Sequence, residues 1–247
     1  MKGKVQKIPV GVSRCLLGEA VRYDGGDRKN PHVTGVLDER FRWVPVCPEV
    51  EIGLGIPRPP IRIERRGGEL RLVMPEKKID LTERMTTYAR NRVTELADVG
   101  IRGFLLKKRS PSCGLAGVDV HGRDRIDPTG TGFFAAALRA RFPNMPLAQE
   151  DLLDDPIFRE AFVLQVQVYD RFQNLREGKP TPKSLQRFHM AHKHLLNHAP
   201  RTEQALSRIA TLAGGEAFCD LLDTYETMLM AALAGPDGER ESPFQRD

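Results

Sequence analysis

The chain has 247 residues, of which 40% are hydrophobic and 29% are charged, and its formal net charge is +5. This composition is typical of a soluble globular protein with one large domain or two ordinary ones. No stretch approaches the ~20 apolar residues of a membrane span, and the basic N-terminus is followed by too short an apolar run for a signal peptide. We therefore expect a cytoplasmic protein with no membrane contact.

The first part of the chain alternates short apolar runs with helical patterns. Strands are predicted in KIPVGVS, FRWVPVC and IRGFLLK. Helices are predicted in LTERMTTYARNRVTELADVG, which stops at Gly100, and in TGTGFFAAALRARFP, which closes before Pro143. Strands separated by helices indicate a parallel sheet with helices on both faces, so residues 1–150 are predicted to form a Rossmann-like α/β domain.

Beyond a stretch rich in proline and acidic residues near position 150, the pattern is helical throughout. Four helical segments are predicted: PIFREAFVLQVQVYDRFQNL, PKSLQRFHMAHKHLLNHA, TEQALSRIATLAG and GEAFCDLLDTYETMLMAALA. The tail GPDGERESPFQRD has the composition of a disordered segment. We therefore expect a small all-helical domain over residues 151–235, followed by a disordered tail over 236–247.

The net charge is unevenly distributed. Residues 1–150 carry 27 Lys and Arg against 18 Asp and Glu, which gives +9, whereas residues 151–247 carry 11 against 15, which gives −4. Within the acidic half, residues 171–201, called the basic segment below, hold one acidic residue and seven cations: Arg171, Arg176, Lys179, Lys183, Arg187, Lys193 and Arg201. Localised basicity of this kind is typical of phosphate-backbone binding, and a solvated helix face is the alternative.

Three of the four cysteines follow predicted strands. Cys15, Cys47 and Cys113 each lie just past a strand, and parallel strands end at one shared edge, so we expect the three thiols to converge. No CxxC pair of the kind found in zinc sites is present. Three thiolates with one open position suit an iron–sulfur cluster, although buried packing is an alternative on spacing alone. Cys219 lies in an apolar helix, where we predict that it packs in the core.

Four motifs resemble a known family. The segments VSRCLLGEAVRYDGG, VCPEVEIGLGIPRPPIRI, LKKRSPSCGL and GTGFFAAALRARFPNMPLAQE resemble the TudS-type thiouracil desulfidase domain over almost all of residues 7–150. The motif FHMAHKHLLNHAP resembles the YbgA-type helical domain, here in a shortened form. A chain with both is similar to the RudS desulfidases, which remove sulfur from 4-thiouridine in tRNA. This resemblance implies a [4Fe-4S] cluster held by Cys15, Cys47 and Cys113.

The resemblance also implies a reaction and two residues that move protons. Water adds to a thiocarbonyl carbon and the sulfur leaves as sulfide, with no net oxidation or reduction of the base. Glu49 of CPE and Ser110 of SPSC are the implied catalytic residues. A surface carboxylate is the structural alternative for Glu49, and a turn residue is the alternative for Ser110.

The same resemblance makes tRNA the expected partner. Lys107, Lys108 and Arg109 precede the third cysteine, and Arg187, His189 and Lys193 lie in the histidine-rich helix; these six are the candidate RNA contacts. Desulfidation of free thiouracil or of a thionucleoside is the alternative within the same enzyme class. A non-catalytic iron–sulfur sensor or RNA-binding protein is the alternative from another class.

Overall fold

A computed structural model describes residues 7–212 and 218–235. The chain divides into two compact units, Met1–Arg159 and Glu160–Asp247. The tail predicted to be disordered, 236–247, lies outside the described residues. Among the residues described, no helix has the length and apolar character that crossing a membrane requires.

The strands of the first unit form two separate sheets. The described strands are β1 (Ile8–Ser13), β2 (Phe41–Val46), β3 (Arg62–Arg66), β4 (Glu69–Met74), β5 (Ile79–Asp80), β6 (Phe104–Leu106), β7 (Val118–His121), β8 (Ile126–Gly130) and β9 (Leu147–Gln149). One sheet has the order β2-β1-β6-β9 with every pair parallel, and it contains the three strands predicted from the sequence. The predicted α/β class with a parallel sheet is therefore confirmed.

The second sheet was not predicted from the sequence. Its order is β5-β4-β3-β7-β8, and it is mixed, because β3 and β7 are parallel while the other pairs are antiparallel. Strands β3 and β4 are joined by Gly67 and Gly68, which both have positive φ, at 58° and 87°. A two-residue turn with positive φ at both positions matches the right-handed twist of an antiparallel pair, and glycine adopts it without strain.

Four helices of the first unit are described before its boundary: α1 (Pro31–Thr34), α2 (Pro48–Glu51), α3 (Thr82–Val99) and α4 (Phe133–Arg141). Helix α3 ends at Gly100 as predicted, with the glycine in the left-handed conformation. Its buried face carries Met85, Ala89, Val93 and Leu96, which recur at helical spacing. Met85 packs with Ile63 and Leu72 of the second sheet in one hydrophobic cluster.

The second unit is helical, as predicted. Its described helices are α5 (Pro156–Glu177, which begins in the first unit), α6 (Pro182–His192), α7 (Pro200–Leu212) and α8 (Phe218–Ala234). The prediction of one helix up to Ala199 is wrong, because α6 ends at His192 and a 3₁₀-helix follows over Lys193–Leu196. This tighter turn buries Leu196 in the cluster that contains Phe172 and Tyr225.

Candidate functional site

A cleft of about 620 Å³ lies in the first unit. Strands β1, β2 and β6 are parallel neighbours, so their carboxyl ends share one edge of the sheet. The segments that follow these strands line the cleft and bring Cys15, Cys47 and Cys113 into it. The structure therefore gathers the three cysteines where parallel strands predict them to meet, while their role as ligands stays a prediction.

Cys15 is held in a tight turn directly after β1. It lies in the 3₁₀-helix Arg14–Leu17 and is 8% exposed. Its carbonyl oxygen accepts hydrogen bonds from the amides of Gly18 and Arg28, at 3.2 and 2.9 Å. Burial, helped by the nearby Cys47, raises the pKa of the Cys15 thiol to about 11. The thiol is therefore protonated at neutral pH in the absence of a bound cation.

Cys47 is positioned at the start of α2. Its amide donates to Glu51 Oε1 at 2.8 Å, a bond that closes the first turn of the helix. The other oxygen of Glu51 accepts from the hydroxyl of Tyr88 in α3 at 2.6 Å, which ties α2 to the longer helix. Burial is the main cause of the raised pKa of the Cys47 thiol, and the charge of Glu49 adds to it.

Cys113 lies on a loop that is fixed from two directions. Ser110 Oγ accepts hydrogen bonds from the amides of Ser112 and Cys113, at 3.2 and 3.1 Å. The carbonyl oxygen of Ser112 accepts from the amide of Phe134 in the first turn of α4, at 2.9 Å. A Cβ atom at Gly132 would lie 2.5 Å from that carbonyl group, so only glycine permits this approach. The loop therefore depends on its own serine and on the start of α4.

The donor set of the cleft suits a cluster better than a single ion. Burial raises the pKa of the Cys113 thiol, and the charges of Cys47 and Cys15 raise it further, so the three thiols are close enough to influence one another. Yet no group of three His, Cys, Asp or Glu side chains in residues 7–212 and 218–235 is arranged to hold one metal ion. Three soft thiols around a shared space, those of Cys15 and Cys113 buried and that of Cys47 half-buried, match a group larger than one ion, such as an iron–sulfur cluster.

Glu49 is held between two partners at the wall of this cleft. Its Oε2 accepts hydrogen bonds from Arg58 Nε and Nη2, at 3.0 and 2.8 Å. Its Oε1 accepts from Ser112 Oγ at 3.0 Å. The Glu49 side chain is 14% exposed, and it lines the cleft together with the cysteines. The carboxylate is thus immobilised within the same space as the three thiols, rather than lying free on the surface.

The sequence analysis missed both partners of Glu49. Arg58 is 7% exposed, and it is the only cation in the proline-rich segment GIPRPP. The other residues of this segment are mostly exposed, so no local pattern signals that Arg58 is buried. Ser112 lies in the same turn sequence as Ser110, and no local pattern distinguishes the two. Only the folded chain shows that Ser112 points to Glu49 and Ser110 to the backbone.

The three cations before Cys113 occupy different environments. Lys107 forms an ion pair with the buried Glu150. Lys108 donates its amide to the same carboxylate at 2.7 Å, and its Nζ lies 3.3 Å from Asp151. Arg109 is exposed, lines the cleft, and has no ion pair in the part of the chain that is described. Of the three, Arg109 is thus the one that is free to meet an anionic ligand.

Three further cations that were not predicted as site residues line the cleft: Arg14, which pairs with Glu19, and Arg22 and Arg28. Arg28 is exposed, and among the described residues its guanidinium donates only to the carbonyl oxygen of Asp27, at 2.8 Å. Arg22 lies 3.5 Å from Asp24 and 5.3 Å from the centre of the Tyr23 ring. With Arg109, these residues give the cleft a positive rim.

In the second unit, the predicted RNA contacts separate into exposed and buried residues. Arg187 and Lys193 are exposed, and neither forms an ion pair with a described residue. His189 is 3% exposed, its Nδ1 lies 3.0 Å from the hydroxyl of Tyr225, and its Nε2 lies 3.5 Å from Glu203. The inclusion of His189 among surface contacts is therefore corrected, because its ring belongs to the interior of the helical unit.

The prediction that Cys219 packs in the core is wrong. Cys219 is exposed at the first turn of α8. The residues of that turn which pack are Phe218, Leu221 and Leu222, and they recur at helical spacing. Cys219 lies one position after Phe218, about 100° around the helix, and so faces away from the packed side.

Comparisons with known proteins agree on the first unit. A sequence model of the family described as "2-thiouracil desulfurase" matches residues 10–150. The uncharacterized protein YbbK of Bacillus subtilis (strain 168) is 30% identical over 133 residues, which are 52% of this chain and 87% of that protein. The solved structure of a [4Fe-4S]-dependent thiouracil desulfidase, TudS, is similar with a TM-score of 0.50 and 34% identity, over 64% of this chain and 99% of that one.

Proposed function

The chain belongs to the 2-thiouracil desulfurase family, and from that premise we propose that it is a [4Fe-4S]-dependent desulfidase. Cys15, Cys47 and Cys113 hold the cluster in this proposal. The observation that carries it is the meeting of three thiols, two buried and that of Cys47 half-buried, in one cleft at the carboxyl edge of a parallel sheet. The solved desulfidase that resembles this chain is itself [4Fe-4S]-dependent, which supports the same cofactor here.

The surroundings of the three thiols favour this cofactor. Each thiol has a raised pKa because it is buried, so a positively charged group is needed to stabilise the three thiolates together. Nearby cations already oppose part of this rise: the charge of Lys107 acts on the pKa of Cys15, and the charge of Arg58 acts on that of Cys47. When bound, a cluster with three protein thiolates supplies one iron with an open position, a soft Lewis acid for a thiocarbonyl sulfur.

Glu49 is the residue that moves protons in the proposed reaction. Its carboxylate lines the cleft with the cysteines, at a fixed position set by Arg58 and Ser112. From there it accepts a proton from the attacking water and returns one to the departing sulfur. One water oxygen replaces the sulfur of the C=S bond, H₂S is released, and no electrons are gained or lost.

Ser110 has a second proposed role beside its place in the turn. Its hydroxyl oxygen accepts from two amides of its own loop, and its side chain also lines the cleft. The hydroxyl proton is not used in those two bonds, so it is available to a group bound in the cleft. We infer that Ser110 donates this proton to the base while it holds Cys113 in place.

We further propose that the substrate is 4-thiouridine in tRNA. Arg22, Arg28 and Arg109 form the positive rim described above, which is suited to phosphates beside a thiolated base. Five cations of the basic segment are exposed with neither an ion pair nor a side-chain hydrogen bond to any described residue: Lys179, Lys183, Arg187, Lys193 and Arg201. A base inside folded tRNA must leave its stack to enter the cleft, and phosphate contacts around it offset that cost. Resemblance to a YbgA-type domain, as in RudS desulfidases, supports the same substrate.

The test is an assay of sulfide release by anaerobically prepared protein. Thiolated tRNA and free thiouracil are compared side by side, and the Cys113→Ala variant is the inactive control. We expect sulfide from tRNA at a kcat/KM well above that for thiouracil. Release from thiouracil alone would replace tRNA with a free base as the substrate. No release from either substrate, by protein that carries a full cluster, would contradict the desulfidase proposal.

A further inference from the structure

We propose that Arg58 and Ser112 are positioning residues that clamp the Glu49 carboxylate in the cleft. The proposal rests on the proposed function, because that function gives Glu49 its part in proton transfer. The clamp consists of three hydrogen bonds, two from the Arg58 guanidinium to Oε2 and one from the Ser112 hydroxyl to Oε1. Each oxygen of the carboxylate therefore has its own donor, and the plane and direction of the group are both fixed.

The guanidinium of Arg58 is itself held on every side. Its Nη1 donates to the carbonyl oxygens of Val21 and Gly55, at 3.0 and 2.9 Å. With Nε and Nη2 on Glu49, all three nitrogens are engaged, and the side chain is 3% exposed. The planar fork of arginine makes this arrangement, and the single ammonium of lysine does not reproduce it. Because Arg58 is bonded to the backbone at Val21 and Gly55, these two segments help to set the position of the Glu49 carboxylate.

Ser112 fixes the second oxygen from an independent part of the chain. The residue is fully buried at 0% exposure, its amide donates to Ser110, and its carbonyl oxygen accepts from the first turn of α4. Since Glu49 follows Cys47 by two positions and Ser112 precedes Cys113 directly, the clamp also joins the two loops that carry these cysteines. It does so through protein atoms alone, so it is present in the apoprotein.

The first test separates positioning from folding and from cluster binding. We expect Ser112→Ala to lower kcat for sulfide release about tenfold, with KM and iron content within twofold of wild type. Arg58→Ala is expected to lower kcat further, and Arg58→Lys is expected to restore part of the loss because a cation then remains beside Glu49. The matched controls are Arg62→Ala, whose arginine pairs with Glu64 on the surface, and Ser207→Ala in α7. An unchanged kcat in both Ser112→Ala and Arg58→Lys would overturn the proposal.

The second test needs no activity and no cluster. Trp43, the only tryptophan, lies in β2, so its fluorescence follows urea unfolding of the unit that contains the clamp. We compare the reduced apoproteins of wild type, Ser112→Ala, Glu49→Ala and the double variant, because alanine, unlike glutamine, cannot accept the hydrogen bond from the Ser112 hydroxyl. If the two side chains are coupled, the urea midpoint of the double variant lies above the value that the two single losses predict. Additive losses would overturn the clamp, and this holds even if wild-type protein proves to release no sulfide.

Discussion

The inner wall of the cleft and the basic segment both contain arginine and lysine, but they hold these cations in opposite ways, while Arg28 and Arg109 at the rim of the cleft are exposed like the cations of the basic segment. In the cleft, Arg58 and Lys107 are largely withdrawn from solvent and are paired with Glu49 and Glu150. In the basic segment, five of the seven cations are exposed and have neither an ion pair nor a side-chain hydrogen bond in the described parts of the chain. Charge that is buried and paired fixes neighbouring groups in place, whereas charge that is exposed and unpaired is available to an external polyanion.

The energetic consequences of the two arrangements differ. Removing one partner from a buried pair leaves an uncompensated charge and costs about 3 to 5 kcal/mol, whereas removing an exposed cation changes stability by about 0.5 kcal/mol or less. Substitutions of the buried, paired residues of the cleft are therefore expected to lower the stability of the protein. Substitutions in the basic segment are expected to change only its binding of tRNA. The predictions below use this contrast in order of decreasing effect.

The largest effect is expected from the cysteines of the cleft. Cys15→Ala, Cys47→Ala and Cys113→Ala should each abolish the broad brown absorbance of anaerobically prepared protein, because each removes a thiolate that the proposed cluster requires. The measurement is the visible spectrum together with iron and sulfide content per chain. Cys219→Ala is the matched control, since Cys219 is an exposed thiol of the helical unit. Loss of the cluster in the control, with its retention in one of the other three variants, would refute the ligand assignment.

A smaller but still large effect is expected at Glu49. Glu49→Gln keeps the size of the side chain but removes its ability to accept a proton, so kcat should fall about 10²- to 10⁴-fold. Iron content should stay at the wild-type level, because Glu49 is not a proposed ligand. Glu69→Gln is a suitable control, as its side chain is 69% exposed in the second sheet. Wild-type turnover by a Glu49→Gln protein with a full cluster would remove this residue from the mechanism.

How much of the site could be predicted from the sequence depended on whether local patterns place its residues together. Cys15, Cys47 and Cys113 were predicted to meet because each follows a strand, and the geometry of parallel strands brings such positions together. The partners of Glu49 were not predicted, since Arg58 and Ser112 reach it across 9 and 63 positions, and no local periodicity encodes such contacts. Motif resemblance thus identifies the residues proposed for the reaction, but not those proposed to orient them.

The fold shows a similar division between local and distant signals. Helix α3 was predicted from helical spacing and from the stop at Gly100, both of which are local. The second sheet was missed, although Gly67-Gly68 between β3 and β4 is a hairpin signal that the sequence does contain. The pairing of β3 with β7 has no such signal, because it joins Ile63 to Val120 across half of the first unit. Burial of His189 was likewise decided by Tyr225 of a later helix.

The third prediction concerns the exposed cations and is an effect on binding alone. Changing Arg187 and Lys193 together to Ala should weaken tRNA binding and leave turnover of free thiouracil nearly unchanged. Because each neutralised phosphate contributes ~0.7 to 0.9 to the log–log dependence of affinity on salt, the slope should fall by about that amount per cation removed. The measurement is a tRNA titration at several salt concentrations.

A second double variant tests whether position matters or only total charge. Arg123 and Arg125 are exposed in the segment between β7 and β8, and changing both to Ala removes the same charge from another surface. We expect this control to bind tRNA nearly as wild type does. Flat salt dependence in the wild-type protein would refute the tRNA proposal. A slope that the Arg187 and Lys193 variant leaves unaltered would move the binding surface to the exposed cations of the cleft rim, Arg28 and Arg109.

The smallest effect is expected from a change of pH, and it concerns the buried thiol of Cys15. In the unfolded chain the Cys15 thiol ionises near its ordinary pKa of 9.0, whereas burial raises its pKa to about 11 in the folded chain. Below pH 9 both states are protonated, so this residue causes no pH dependence. Between pH 9 and 11 the unfolded state loses its proton first, so apoprotein stability falls, by about 2 to 3 kcal/mol for this residue.

The urea midpoint, followed by Trp43 fluorescence, should therefore fall more steeply with pH in wild type than in Cys15→Ala. Subtracting the two curves removes the contributions of all the groups that both proteins share. Parallel curves for wild type and Cys15→Ala would show that folding does not raise the pKa of the Cys15 thiol. A cluster that binds there would then not have to displace a proton from a buried thiol.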